Sequence, residues 1–210
     1  MRYGLIAALV CSITLIASAW TSSEETFLGN YGEMVFRPDS LTLCIVTTEG
    51  DTVVFADTPV DMRGGDSWHI YSVISYVQEQ DYYYWVIQID GYESIKWYLV
   101  SSENGRIYPT ISNADPSPDG HRLLFSNYDD AEFRAEGIEI WRIDTDSLAL
   151  EFSDLDVPWD PYHVNWESDS AVVFEKTTWD WGIPEMTTLP GRLELSGDGI
   201  WETDDPESWE

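Results

Sequence analysis

The sequence predicts an all-β fold built from antiparallel sheets. Runs rich in Val, Ile, Tyr, Phe and Trp recur along the chain, with turn signals about every 8 to 12 positions. Several of the turns, Asp90-Gly91 and Asn104-Gly105 among them, are of kinds that join hairpins. No segment repeats apolar residues at helical spacing over three turns.

Residues 24–33 form a polar lead-in with Gly29 and Gly32. Met34-Val35-Phe36 opens the first apolar patch. Arg37-Pro38-Asp39-Ser40 reads as a turn, because proline presets φ and Asp and Ser bond back to the backbone. The runs 41–46 and 52–55 flank Glu49-Gly50-Asp51 as a hairpin. Cys44 lies in the first run and reads as a small buried hydrophobe. Residues 59–66 are loop and 68–77 strand. Residues 82–89 are nearly apolar throughout, which predicts a central strand covered on both faces. With 95–100 and 106–108 they make a meander. Further strands fall at 123–126 and 137–143. In 148–153 the alternation places Leu148, Leu150 and Phe152 on one face. Residues 158–161 are a loop carrying Trp159. The stretch 164–167 leads through Ser168-Asp169-Ser170 into a strand at 171–175. Residues 177–186 are Trp-rich and irregular, 192–195 form a late strand, and 196–199 turn into Ile200-Trp201.

Residues 1–19 read as a secretory signal peptide. Arg2 supplies the positive charge, the apolar run 5–16 is shorter than the about 20 residues of a spanning helix, and Ala17-Ser18-Ala19 is a small-x-small cleavage site. Cys11 would leave with it, so Cys44 has no disulfide partner. The organisation expected is one secreted or periplasmic all-β domain over 20–201 and a flexible acidic tail over 202–210, with no membrane span. The formal net charge is −29, from 39 acidic and 10 basic residues. Such a field repels nucleic acid and anionic lipid and excludes nucleic-acid binding as a function. It suits a saline exterior, a cationic partner or bound Ca²⁺.

One pattern recurs. Pro38-Asp39-Ser40 precedes 41–46, Pro118-Asp119-Gly120 precedes Leu123-Leu124-Phe125, and Ser168-Asp169-Ser170 precedes 171–174. Gln80-Asp81 stands before 82–89. A period of about 40 to 50 residues is the length of one four-stranded propeller blade. The run Ser117-Pro118-Asp119-Gly120-His121-Arg122-Leu123-Leu124-Phe125, followed by Ile138-Glu139-Ile140-Trp141-Arg142-Ile143-Asp144, resembles the TolB-like, or WD40-like, β-propeller repeat. The match covers 116–144, with fainter echoes at 36–46 and 164–175. The order of features from 82 to 174 also resembles a family of secreted bacterial proteins that carry one such repeat. The resemblance implies blade-like antiparallel sheets and no catalytic residue, since the Pro-Asp-Gly turn serves the backbone. The chain has room for about four blades. A partial or small β-propeller is therefore expected, with a two-sheet β-sandwich as the alternative.

The chemistry is sparse. There is no Gly-x-Ser-x-Gly, and His69, His121 and His163 lie far apart, so no nucleophile with its base is visible. No cofactor is expected. Asp144 with Asp146, and Asp154 with Asp156 and Asp160, crowd carboxylates as Ca²⁺ would need, but neither follows the twelve-residue calcium loop. A glycosidase reading would start from Glu93 beside Tyr92 or Asp180 between two tryptophans, an empty signal in so acidic a chain. The aromatics lead further. Trp159, Trp179 and Trp181 stand in loop-like sequence, where flat rings either cover a sheet edge or bind a ligand. These residues are the candidate binding site. The function expected is a secreted, non-enzymatic binding module with a macromolecular partner, protein before glycan. The alternatives are a carbohydrate-binding module using the three tryptophans and an acidic inhibitor of a cationic lytic enzyme.

Overall fold

The computed structural model describes residues 24–64, 67–79, 82–92, 94–128, 136–144, 147–155, 159–178 and 187–203. The leader read at 1–19 lies outside them, as does the tail beyond Thr203. The described chain opens with one short helix, α1 (Glu24–Tyr31), and then forms four antiparallel sheets of consecutive strands. The first holds β1 (Val35–Asp39), β2 (Thr42–Val46) and β3 (Thr52–Ala56). A 3-10 turn at Val60–Met62 leads to the second, of β4 (His69–Glu79), β5 (Tyr82–Gly91), β6 (Ser94–Ser101) and β7 (Ile107–Thr110). The third holds β8 (Asp115–Pro116), β9 (Arg122–Asn127), β10 (Gly137–Ile143) and β11 (Leu148–Leu155). The fourth holds β12 (Asp160–Ser168), β13 (Ala171–Thr178), β14 (Thr187–Leu195) and β15 (Trp201–Thr203). The all-β expectation holds, with four sheets rather than the two of a sandwich.

The sequence repeat has a structural counterpart. Asp39 ends β1 before β2, Pro118-Asp119-Gly120 joins β8 to β9, and Asp169-Ser170 joins β12 to β13. Gln80-Asp81, between β4 and β5 in sequence, lies outside the described residues. Each of the three described copies therefore marks the first hairpin of its sheet. The turns are held by their own side chains. Asp39 Oδ1 accepts the Leu41 N–H at 2.8 Å, and Asp119 Oδ1 accepts the Ser117 hydroxyl at 2.6 Å and the His121 N–H at 3.0 Å. At Gly120 the backbone turns through φ 77°, which glycine adopts without strain.

Pleating gives each sheet two usable faces, and among the described residues three separate cores form between consecutive sheets. β5 shows the alternation. Trp85 and Ile87 join Val35, Leu43, Ile45 and Phe55 in the first core. Tyr84 and Val86 face the other way, to Leu123, Phe125 and Leu148 in the second. The central-strand reading is borne out. Leu124 turns from its neighbours into the third core, with Ile138, Ile140, Val172, Phe174 and Leu193. Cys44 is buried in β2. Each such large side chain stabilises the fold by about 1.5–3 kcal/mol.

The lead-in proves to be helical. Its two turns carry Phe27, Leu28 and Tyr31, which pack on the first core from one side. Glu24 fixes the helix start. It takes two hydrogen bonds from Arg37, at 3.0 and 3.1 Å, and one from the Val73 N–H at 3.2 Å. Arg37 also reaches Asp57 at 3.1 Å and the Tyr71 carbonyl, while Asp57 accepts the Tyr71 N–H at 2.8 Å. Side chains thus cover the outer edge of β4. The Tyr31 phenol is pushed up to about 12 from its ordinary 10.0, first by its hydrogen bond with Tyr76 and then by burial. A proton held more tightly in the folded state contributes stability that is complete below about pH 10 and lost as pH rises through about 12. The urea midpoint should therefore fall across that window, and Tyr31→Phe should flatten the fall.

Leu148, Leu150 and Phe152 do not share a face. The β10–β11 register shifts between Ile140 and Trp141, so Ile140 meets Phe152 while Trp141 meets Leu150. The extra residue of this bulge is Glu151. Leu150 is left exposed, and Phe152 turns to the third core. Glu151 takes Arg122 at 2.7 Å, Arg142 at 3.2 Å and the Trp201 indole N–H at 3.2 Å, tying the third sheet to the fourth.

Candidate functional site

A cavity of about 70 Å³ lies between the third and fourth sheets. Ile138 and Phe152 form one wall, Phe174 and Leu193 the other, and Asp154, Trp159, Lys176 and Thr203 complete it. The placement follows from β13: Val172, Phe174 and Lys176 are alternate residues and share its inward face. Lys176 is 3% exposed. Its ammonium lies 5.1 Å from the Trp159 ring centre and 5.7 Å from that of Phe174. The two rings stack at 5.4 Å with an 18° tilt, so the cation sits against aromatic faces that attract it. Burial pushes the Asp154 carboxyl up, and the Lys176 charge opposes that shift.

Gly191 makes this packing possible. A Cβ there would meet Phe174 Cε2 at 2.4 Å, Cζ at 2.7 Å and Lys176 Cε at 2.9 Å. Both side chains therefore lie directly over the β14 backbone. Gly191→Ala should displace the Phe174 ring, cost about 2 kcal/mol and shift Trp159 fluorescence; an unchanged spectrum would show that the ring yields freely. The sequence hid this residue, because Pro190-Gly191 has the look of a turn. β14 begins at Thr187 and runs through it.

Trp159, one of the three candidate tryptophans, is 9% exposed and belongs to the third core. Trp179 and Trp181 lie outside the described residues, as do Glu93 and Asp180. At about 70 Å³ the cavity admits a few water molecules and lies far below the about 300 Å³ at which ligand pockets begin. His69, His121 and His163 belong to three different sheets or their turns. His163 Nδ1 lies 3.0 Å from Glu175, with both groups exposed. Asp144 is held by Arg142 at 2.8 and 3.2 Å. Asp146 and Asp156 lie outside the described residues. Among those described, no group of three or more His, Cys, Asp or Glu could hold a metal ion. No described helix is long and apolar enough to cross a membrane.

The class defined here is an all-β chain of four antiparallel meanders packed in sequence order through three cores. Compared with family models, with curated proteins and with solved structures, the chain finds no match.

Proposed function

We propose that the chain is a secreted, non-enzymatic β-repeat module that binds a protein partner with a cationic surface, its sheets forming a partial propeller of blade-like repeats. One observation carries the cationic partner. The net charge is −29, and four of the eight described Lys and Arg residues are held in ion pairs within the molecule. Arg37 pairs with Glu24 and Asp57, Arg142 with Asp144 and Glu151, Arg192 with Glu167 and Glu194, and Arg122 with Glu151. The acidic excess is thus left to the surface, where it steers cationic partners. The repeat at the first hairpin of three of the four described sheets supports the blade reading. Surface binding to a panel of basic and acidic secreted proteins, at low and high salt, tests the proposal. Basic proteins should bind and lose affinity with salt. Equal binding of acidic proteins, or indifference to salt, would overturn it.

A further inference from the structure

We infer that the outer edge of β3 takes an extended segment of a basic protein as the fourth strand of the first sheet. The inference rests on the cationic-partner reading and gives that partner a place. The repeat identifies what is missing. Its described turns align β1 with β8 and β12, and the strand order of the second sheet aligns β4 with them, so β3 corresponds to β6, β10 and β14. In the other sheets a fourth strand follows these, namely β7, β11 and β15. After β3 the chain instead passes through Pro59 and the 3-10 turn directly to β4. Among the described residues, the backbone hydrogen bonds of this linker go to Leu41, to His69 and within itself, and none goes to β3.

The other edges are protected in ways β3 is not. β7 carries Pro109, β15 has three residues and β8 two. β11 is broken by its bulge, and β12 carries Pro161 and two register shifts. β1 carries Pro38 and a shift, and the β4 edge is covered by Glu24, Arg37 and Asp57. β3 reads Thr52-Val53-Val54-Phe55-Ala56, pairs with β2 without a shift, and has no proline and no charge. Unprotected edges of this kind pair with other chains.

The backbone phase is fixed at both ends of the hairpin. The Thr47 N–H donates to the Asp51 carbonyl at 2.8 Å, and the Asp57 N–H to the Leu41 carbonyl at 2.7 Å. Alternation then spends the backbone groups of Val53 and Phe55 on β2 and points those of Thr52, Val54 and Ala56 outward. The Val54 side chain is 57% exposed. The existing fourth strands say what an incoming one should bring. Tyr108, Leu148 and Trp201 each place a large apolar side chain in a core. The segment should therefore carry one such residue toward Val53, Phe55 and Tyr98. Glu49 and Asp51 before β3, and Asp61 after it, are exposed, and residues 47–62 contain no Lys or Arg. The flanks of the segment should be Lys or Arg. Main-chain bonds would supply affinity and the alternate side chains specificity.

The test uses the isotope-labelled full chain and a capped peptide, Lys-Thr-Thr-Tyr-Thr-Thr-Lys. The Thr52, Val54 and Ala56 amides should shift and exchange at least about tenfold more slowly, and replacing both lysines by Glu should weaken binding about tenfold. Val54→Pro removes an N–H that β2 does not use, so the fold should survive while binding falls about tenfold or more. Ala56→Pro serves the same purpose if Val54→Pro fails to fold. The inference is overturned if these amides do not respond, if both proline variants bind normally, or if a second copy of the chain already occupies the edge in sedimentation. Retention of salt-dependent binding to basic proteins by Val54→Pro would leave the cationic-partner reading standing and remove strand addition.

Discussion

Gly137→Ala is expected to destabilise the chain by about 4 kcal/mol, which a urea-unfolding midpoint would report. Two effects combine. Gly137 opens β10 at φ 135°, where an L side chain is strained. A Cβ there would also lie 2.0 Å from the Asp154 carbonyl oxygen and 3.0 Å from Leu155 Cα. These are backbone atoms of β11 and yield only if the strand moves. Asp154 lines the cavity, so the same change should open it beside Lys176. Gly199→Ala is the control. Gly199 has φ 83° and open space around it, so only the backbone strain applies, about 1 kcal/mol. Equal losses at the two positions would show that β11 shifts at little cost.

Trp85→Ala should also cost about 4 kcal/mol. Trp85 is 0% exposed, and the rings of Tyr31, Tyr83 and Tyr76 surround it at 5.4, 5.7 and 5.9 Å. Tyr31 brings α1 to this cluster, so the variant should also release the helix to protease. Trp85→Phe should be far milder, about 1 kcal/mol. The indole N–H has no hydrogen-bond partner among the described residues, and removing a stranded donor recovers part of the lost packing. A Phe variant as damaged as the Ala variant would mean that the N–H is bonded.

Strand positions were legible wherever burial on two faces or a glycine turn left its mark in local composition. β5 is an example, since eight nearly apolar residues need cover on both sides. Features set by distant partners were not legible. In α1 only Phe27, Leu28 and Tyr31 reach the core, too few to show a helical period, and Gly29 lies among them. The bulge at Glu151 cannot be seen in a sequence that alternates cleanly; only the arginines of β9 and β10 and the indole of β15 give the extra residue a purpose. Trp159 was readable as a loop aromatic but not as a buried one, because Phe174 and Lys176, which hold it, are about fifteen residues away in β13. The bare edge of β3 became visible only when the sheets were laid side by side, since a missing strand leaves no residue to read.

Among the described residues, no side chain is common to any two of the three interiors, and none of these interiors joins the fourth sheet to the first. Damage at one junction should therefore stay there, and the molecule should come apart in instalments rather than at a stroke. Amide exchange followed sheet by sheet would resolve these steps, where a single undivided interior would give only one.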